Sequence, residues 1–118
     1  MTPVSLCLPA SLLRRFREMA AEMLPDEPDP FHVALRCAAA ESMLAHASLS
    51  PVEEPPATIV PLLTVHSAVP GEAAAFVRRL ARVSGLTEQQ AWHRVVLEFC
   101  ERSEAPGLSV ELAREVAA

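Results

Sequence analysis

Hydrophobic and polar positions alternate over residues 3–8. Val4, Leu6 and Leu8 fall between Pro3, Ser5 and Cys7, the period of two expected of a strand with one buried face. The period then changes. Leu12, Leu13, Phe16, Met19, Ala20 and Met23 recur at helical spacing, with Arg14, Arg15, Arg17, Glu18 and Glu22 on the opposite side. Pro9 suits the first turn of that helix, and Pro25 and Pro28 stop it. Asp29-Pro30 then reads as a capping carboxylate followed by proline at the first helical position. It opens a second helix from Phe31 to about Ala47. The smooth face of this helix, Ala34, Leu35, Ala38, Ala39, Ser42 and Met43, invites close approach by another helix.

The pattern recurs further along. Thr64 to Val69 alternates again, with Val65, Ser67 and Val69 on one face and Thr64, His66 and Ala68 on the other. Pro70-Gly71-Glu72 opens a helix whose apolar side is Ala73, Phe76, Val77, Leu80 and Val83, and Gly85 is suited to end it. Thr87 and Gln90 form a capping box, and Trp92, Val95, Val96, Phe99 and Cys100 make the next apolar stripe. From Pro9 to Pro70 the offset is 61 residues, and it carries Val4 to Val65, Leu8 to Val69, Phe16 to Val77 and Met19 to Leu80. The last helix follows at an offset of 57, Leu35 to Trp92 and Glu41 to Glu98, so the first helix–helix loop is longer. An internal repeat of this kind decides the architecture. Residues 1–48 read as one unit, 49–61 as a Pro-rich acidic linker, 62–104 as a second unit and 105–118 as a C-terminal helical tail.

Composition narrows the choice of function. Hydrophobic residues are 51% of 118, enough for a core. Aromatics are only 4% with no Tyr, which argues against aromatic-lined pockets and base-stacking platforms. No apolar run approaches the roughly 18 residues of a membrane span, and no basic segment precedes an apolar one at the N-terminus, so a cytoplasmic protein is expected. Cys7, Cys37 and Cys100 are odd in number and far apart, which fits reduced thiols. His32, His46, His66 and His93 form no ligand spacing, so neither metal nor cofactor is expected. No nucleophile–base spacing points to an enzyme. The net charge of −5 argues against coating nucleic acid by bulk electrostatics, and all ten basic residues are Arg.

A lone strand with two helices cannot bury its apolar face, whereas two copies can, by pairing their strands antiparallel over four helices. The runs Val4-Ser5-Leu6-Cys7-Leu8-Pro9 and Val65-His66-Ser67-Ala68-Val69-Pro70, with Leu12, Phe16, Met19, Val77 and Leu80 behind them, carry a likeness to a known family. The chain resembles the ribbon-helix-helix superfamily of Arc- and MetJ-type DNA-binding proteins, in its rarer tandem, single-chain form. The fold class this implies is mostly α with a two-stranded antiparallel ribbon, duplicated internally into a pseudo-dimer. In that family the ribbon enters the major groove and its outward side chains read base edges. The start of the second helix in each unit binds a backbone phosphate.

The resemblance therefore implies a sequence-specific binder of double-stranded DNA, a repressor or a plasmid- or phage-borne accessory factor. Its base-contact candidates are Ser5, Cys7, Thr64 and His66. Its phosphate-contact candidates are Thr87, Arg14, Arg17, Arg78 and Arg82. The usual base readers, Arg, Lys, Asn and Gln, are missing from this ribbon, and Asp29 sets a carboxylate where a phosphate would approach. The ribbon residues also read as a plain polar outer face, and the arginines as a solvated helix side. A second reading is a degenerate copy of the fold used as an adaptor, inhibitor or antitoxin-like module. Its protein partner would dock on Leu108, Val110, Leu112 and Val116 of the tail. A plain helical bundle with an accidental repeat is the third.

Overall fold

A computed structural model describes residues 1–57 and 60–103. In chain order the elements are β1 (Thr2–Pro9), α1 (Ala10–Met23), α2 (Pro30–Ala45), β2 (Leu62–Val69), α3 (Gly71–Ser84) and α4 (Glu88–Ser103). The two strands pair antiparallel in one ribbon, with Thr2 opposite Val69, Ser5 opposite His66 and Pro9 opposite Leu62. Four helices lie under it. α2 and α4 pack against each other, α1 rests on both, and so does α3.

The inner face of the ribbon seals the core. Val4, Leu6, Leu8 and Val69 are buried, while Val65 and Ser67 are half-buried. Slipping β1 by one residue would expose Val4, Leu6 and Leu8 together, costing about 5–9 kcal/mol, so the register is strongly specified. Below the ribbon, Phe16 meets Phe31 and Phe99 edge to face at 5.5 and 5.6 Å between ring centres. The small residues Ala34, Ala38 and Ala39 are fully buried on α2, and Trp92, Val95, Val96 and Phe99 are buried on α4.

Local signals place most of the element ends. Gly85 ends α3 in the left-handed conformation at φ 69°, with the Leu86 N–H returning to the Ala81 carbonyl at 2.9 Å. Both arms of the capping box form. The Thr87 hydroxyl accepts from the Gln90 N–H at 3.1 Å, and the Gln90 side-chain oxygen accepts from the Thr87 N–H at 2.9 Å.

Some expectations are corrected. Pro9 is the last residue of β1 and the N-cap of α1 rather than a residue of its first turn, because the strand runs straight into the helix. β2 begins at Leu62, two residues before the alternation starts, because pairing with Leu8 and Pro9 extends it. Asp29 stands at the N-cap of α2 but makes no side-chain cap bond. Its ψ of 68° falls short of the extended value that swings a carboxylate over the first turn. His93 and Arg94, which follow Trp92 on α4, are half-buried.

Residues 52–55, after α2, are held to the body. The Val52 N–H donates to the Ser84 hydroxyl at 2.9 Å, Gln90 donates to Glu54 at 2.8 Å, and Pro55 is buried. The tail residues Leu108, Val110, Leu112 and Val116 lie outside the described residues.

Candidate nucleic-acid interface

The outward face of the ribbon carries Pro3, Ser5 and Cys7 beside Ala68, His66 and Thr64, and the Pro9–Leu62 pair closes the ladder with Pro9 buried. The four base-contact candidates thus come together as two adjacent cross-strand pairs. Ser5 Oγ lies 2.9 Å from His66 Nδ1, and Cys7 Sγ lies 3.4 Å from Thr64 Oγ1. Such closeness is what non-hydrogen-bonded pairs of an antiparallel ladder allow. The backbone agrees. The Cys7 N–H points away from β2, to the side-chain oxygen of Gln89 at 2.8 Å, and the Gln89 amide donates to the Ser5 carbonyl at 2.8 Å. Odd-numbered residues of β1 therefore turn their backbone groups to the outer edge, and the missing N–H groups of Pro3 and Pro9 cost nothing there.

Gln89 is the residue at this ribbon that reading along the chain missed. Its amide acts as one more rung on β1, from 82 residues away. The only hint in the sequence is its place in α4, which corresponds at the offset of 57 to His32 in α2. His32 does something else: its Nδ1 lies 2.6 Å from the hydroxyl of Ser67, satisfying a polar group on the half-buried inner face. Arg36 donates to the Ala68 carbonyl at 3.4 Å.

The phosphate-contact candidates lie on α1, on α3 and just ahead of α4. Arg14, Arg17, Arg78 and Arg82 are all exposed. Arg17 stacks over the Phe31 ring, 5.5 Å from its centre. Arg78 pairs with Glu88 at 3.5 Å, both side chains about half exposed, so the pair is weak and exchangeable. The Thr87 hydroxyl is spent on capping its own helix, and Glu88 brings a carboxylate into the first turn of α4 as Asp29 does ahead of α2.

Away from the ribbon, α2 and α4 share a mixed charge cluster. His46 Nε2 lies 3.0 Å from Glu98, Arg94 and Arg102 approach Glu98 at 3.8 and 3.7 Å, and Arg102 reaches Glu41 at 3.9 Å. Burial raises the Glu41 carboxyl above its usual range, opposed in part by Arg102. Burial, with the Glu41 charge nearby, pushes the Cys37 thiol up to about 11. Burial lowers His93, helped by the adjacent Arg94. An open cleft of about 380 Å³ lies between Pro9, Leu12 and Arg15 on one side and Pro56, His93 and Leu97 on the other. Among the described residues no cluster could hold a metal ion, and no helix is long and apolar enough to cross a membrane. The chain matches no known protein family, no curated protein and no solved structure.

Proposed function

We propose that this chain is a tandem ribbon-helix-helix protein that inserts its ribbon into the major groove of double-stranded DNA, acting as a repressor or accessory factor. The observation that carries the reading is the register. A two-fold repeat pairs each central residue with its own equivalent, and an offset of 61 makes His66 the equivalent of Ser5. Those two residues are partners, with Val4 opposite Ser67 and Leu6 opposite Val65 placed symmetrically about them. Strands about 4.8 Å apart make a ribbon narrow enough for a groove about 12 Å wide. No carboxylate lies on its outward face.

In this reading Thr64 and His66 supply single hydrogen bonds to base edges. With the Ser5 hydroxyl donating to Nδ1, the proton of His66 sits on Nε2 and faces a base acceptor. The arginines of α1 and α3 track the flanking phosphates, Arg78 exchanging Glu88 for one. The two halves differ, so the site need not be palindromic.

The test is fluorescence anisotropy with the DNA upstream of the chain's own gene against scrambled DNA. Four arginine contacts give a salt slope of about −3.6, a loss of about 10²-fold between 50 and 200 mM salt. His66→Ala or Thr64→Ala, with the fold intact, is expected to weaken binding about 3- to 10-fold. Equal affinity for both DNAs would refute the proposal. One observation favours the alternative, a protein-interaction module: the polar groups of the ribbon are already paired with one another. Salt-insensitive capture of a protein, lost on deleting residues 107–118, is its signature.

A further inference from the structure

A strand at the edge of a sheet is a template for another strand unless it is blocked. The two edges of this ribbon are finished differently. On β1 the outward backbone belongs to Pro3, Ser5, Cys7 and Pro9. Two of these have no N–H to offer, and the Cys7 N–H and Ser5 carbonyl are held by Gln89 at 2.8 Å each. Little is left there for a new strand. On β2 the outward backbone belongs to Leu62, Thr64, His66 and Ala68, and the strand contains no proline. Arg36 takes the Ala68 carbonyl, but at 3.4 Å. Among the described residues no group meets the outward N–H and C=O of Leu62, Thr64 or His66. His32 occupies the place in α2 that Gln89 has in α4, yet it is turned to Ser67 and closes nothing. Two apolar side chains also stand open at this end, Leu62 60% and Leu63 45% exposed.

We infer that the free edge of β2 is a pairing site for β2 of a second copy of this chain, antiparallel across a two-fold axis, giving a four-stranded sheet. The strand is complementary to itself. Centred on Thr64, the pairing sets each outward-turned residue against another, Leu62 opposite the second copy's His66, and closes about six ladder hydrogen bonds. Leu-Leu-Thr-Val-His-Ser-Ala-Val carries no Asp, Glu, Lys or Arg, so no like charges oppose one another. Leu63 gains the second copy's Val65 as a neighbour. A third strand on the β1 side is barred by Pro3, Pro9 and Gln89, so assembly stops at two chains.

One consequence rests on the DNA reading. Four strands span about 14 Å between the outermost, more than a groove about 12 Å wide, so paired chains have no ribbon that enters it.

The pairing itself is tested without DNA, so its failure and that of the DNA reading are separate results. Sedimentation velocity on the full chain from ~1 µM to ~1 mM should show a monomer–dimer equilibrium. Exchange of the Thr64 and His66 amides should slow as the dimer forms. Leu62→Pro removes an outward N–H without touching the β1 ladder and should weaken the dimer at least ~10-fold. His32→Gln, which offers β2 an amide like that of Gln89, should also weaken it. A chain that stays monomeric throughout overturns the inference. So does a dimer that Leu62→Pro leaves unchanged while the Thr64 and His66 amides still exchange freely.

Discussion

Gln89→Ala removes the amide that closes the edge of β1, and its cost can be worked from two distances. Both bonds are 2.8 Å, one accepting from the Cys7 N–H and one donating to the Ser5 carbonyl. A typical intramolecular hydrogen bond contributes about 0.5–1.5 kcal/mol net, and the half-buried Cys7 N–H is left without a partner. Against this, Ala is the better helix former by a few tenths of a kcal/mol. The expected loss is about 1–3 kcal/mol in urea unfolding. The effect should also be local: exchange of the Cys7 amide should speed up, while the inward-bonded Leu6 amide stays protected up to the lowered global stability. Gln89→Glu keeps an acceptor for Cys7 but loses the donor to Ser5, so Cys7 protection should survive in that variant. A loss below about 0.5 kcal/mol with unchanged Cys7 exchange would refute the clamp, because two well-formed bonds cannot vanish silently.

Two further outcomes follow from burial. The Glu41 carboxyl is raised in the folded chain, so its favourable protonated form contributes stability at low pH that is lost as pH rises through the carboxylate range. Glu41→Gln should therefore gain on the parent as pH rises through the carboxylate range in paired urea titrations, and a flat difference would refute this. Of the three thiols, Cys7 is half-exposed whereas Cys37 and Cys100 are buried, with Cys37 raised to about 11. Mass spectrometry after brief alkylation should find Cys7 modified first; equal labelling of all three in the folded chain would contradict this packing.

The alternation of β1 and β2, the extents of four helices to within a few residues, the Gly85 stop and the Thr87–Gln90 box were all legible in the order of residues. Each of these is decided by neighbours within about four positions, where backbone period, proline and capping chemistry act directly. The outward set Ser5, Cys7, Thr64 and His66 was legible for the same reason, since alternation sorts the faces of a strand once one face is apolar. The tertiary structure alone decided which strand edge is closed. The Gln89 clamp joins residues 82 apart, and its counterpart His32 turns inward because Ser67 on the half-buried face needs a partner. The same holds for Asp29, whose local sequence suits a cap that the incoming backbone angle denies it, and for His46, whose ring meets Glu98 from 52 residues away where α2 packs on α4. Side chains choose partners by where packing puts the backbone, and no period along the chain records that choice.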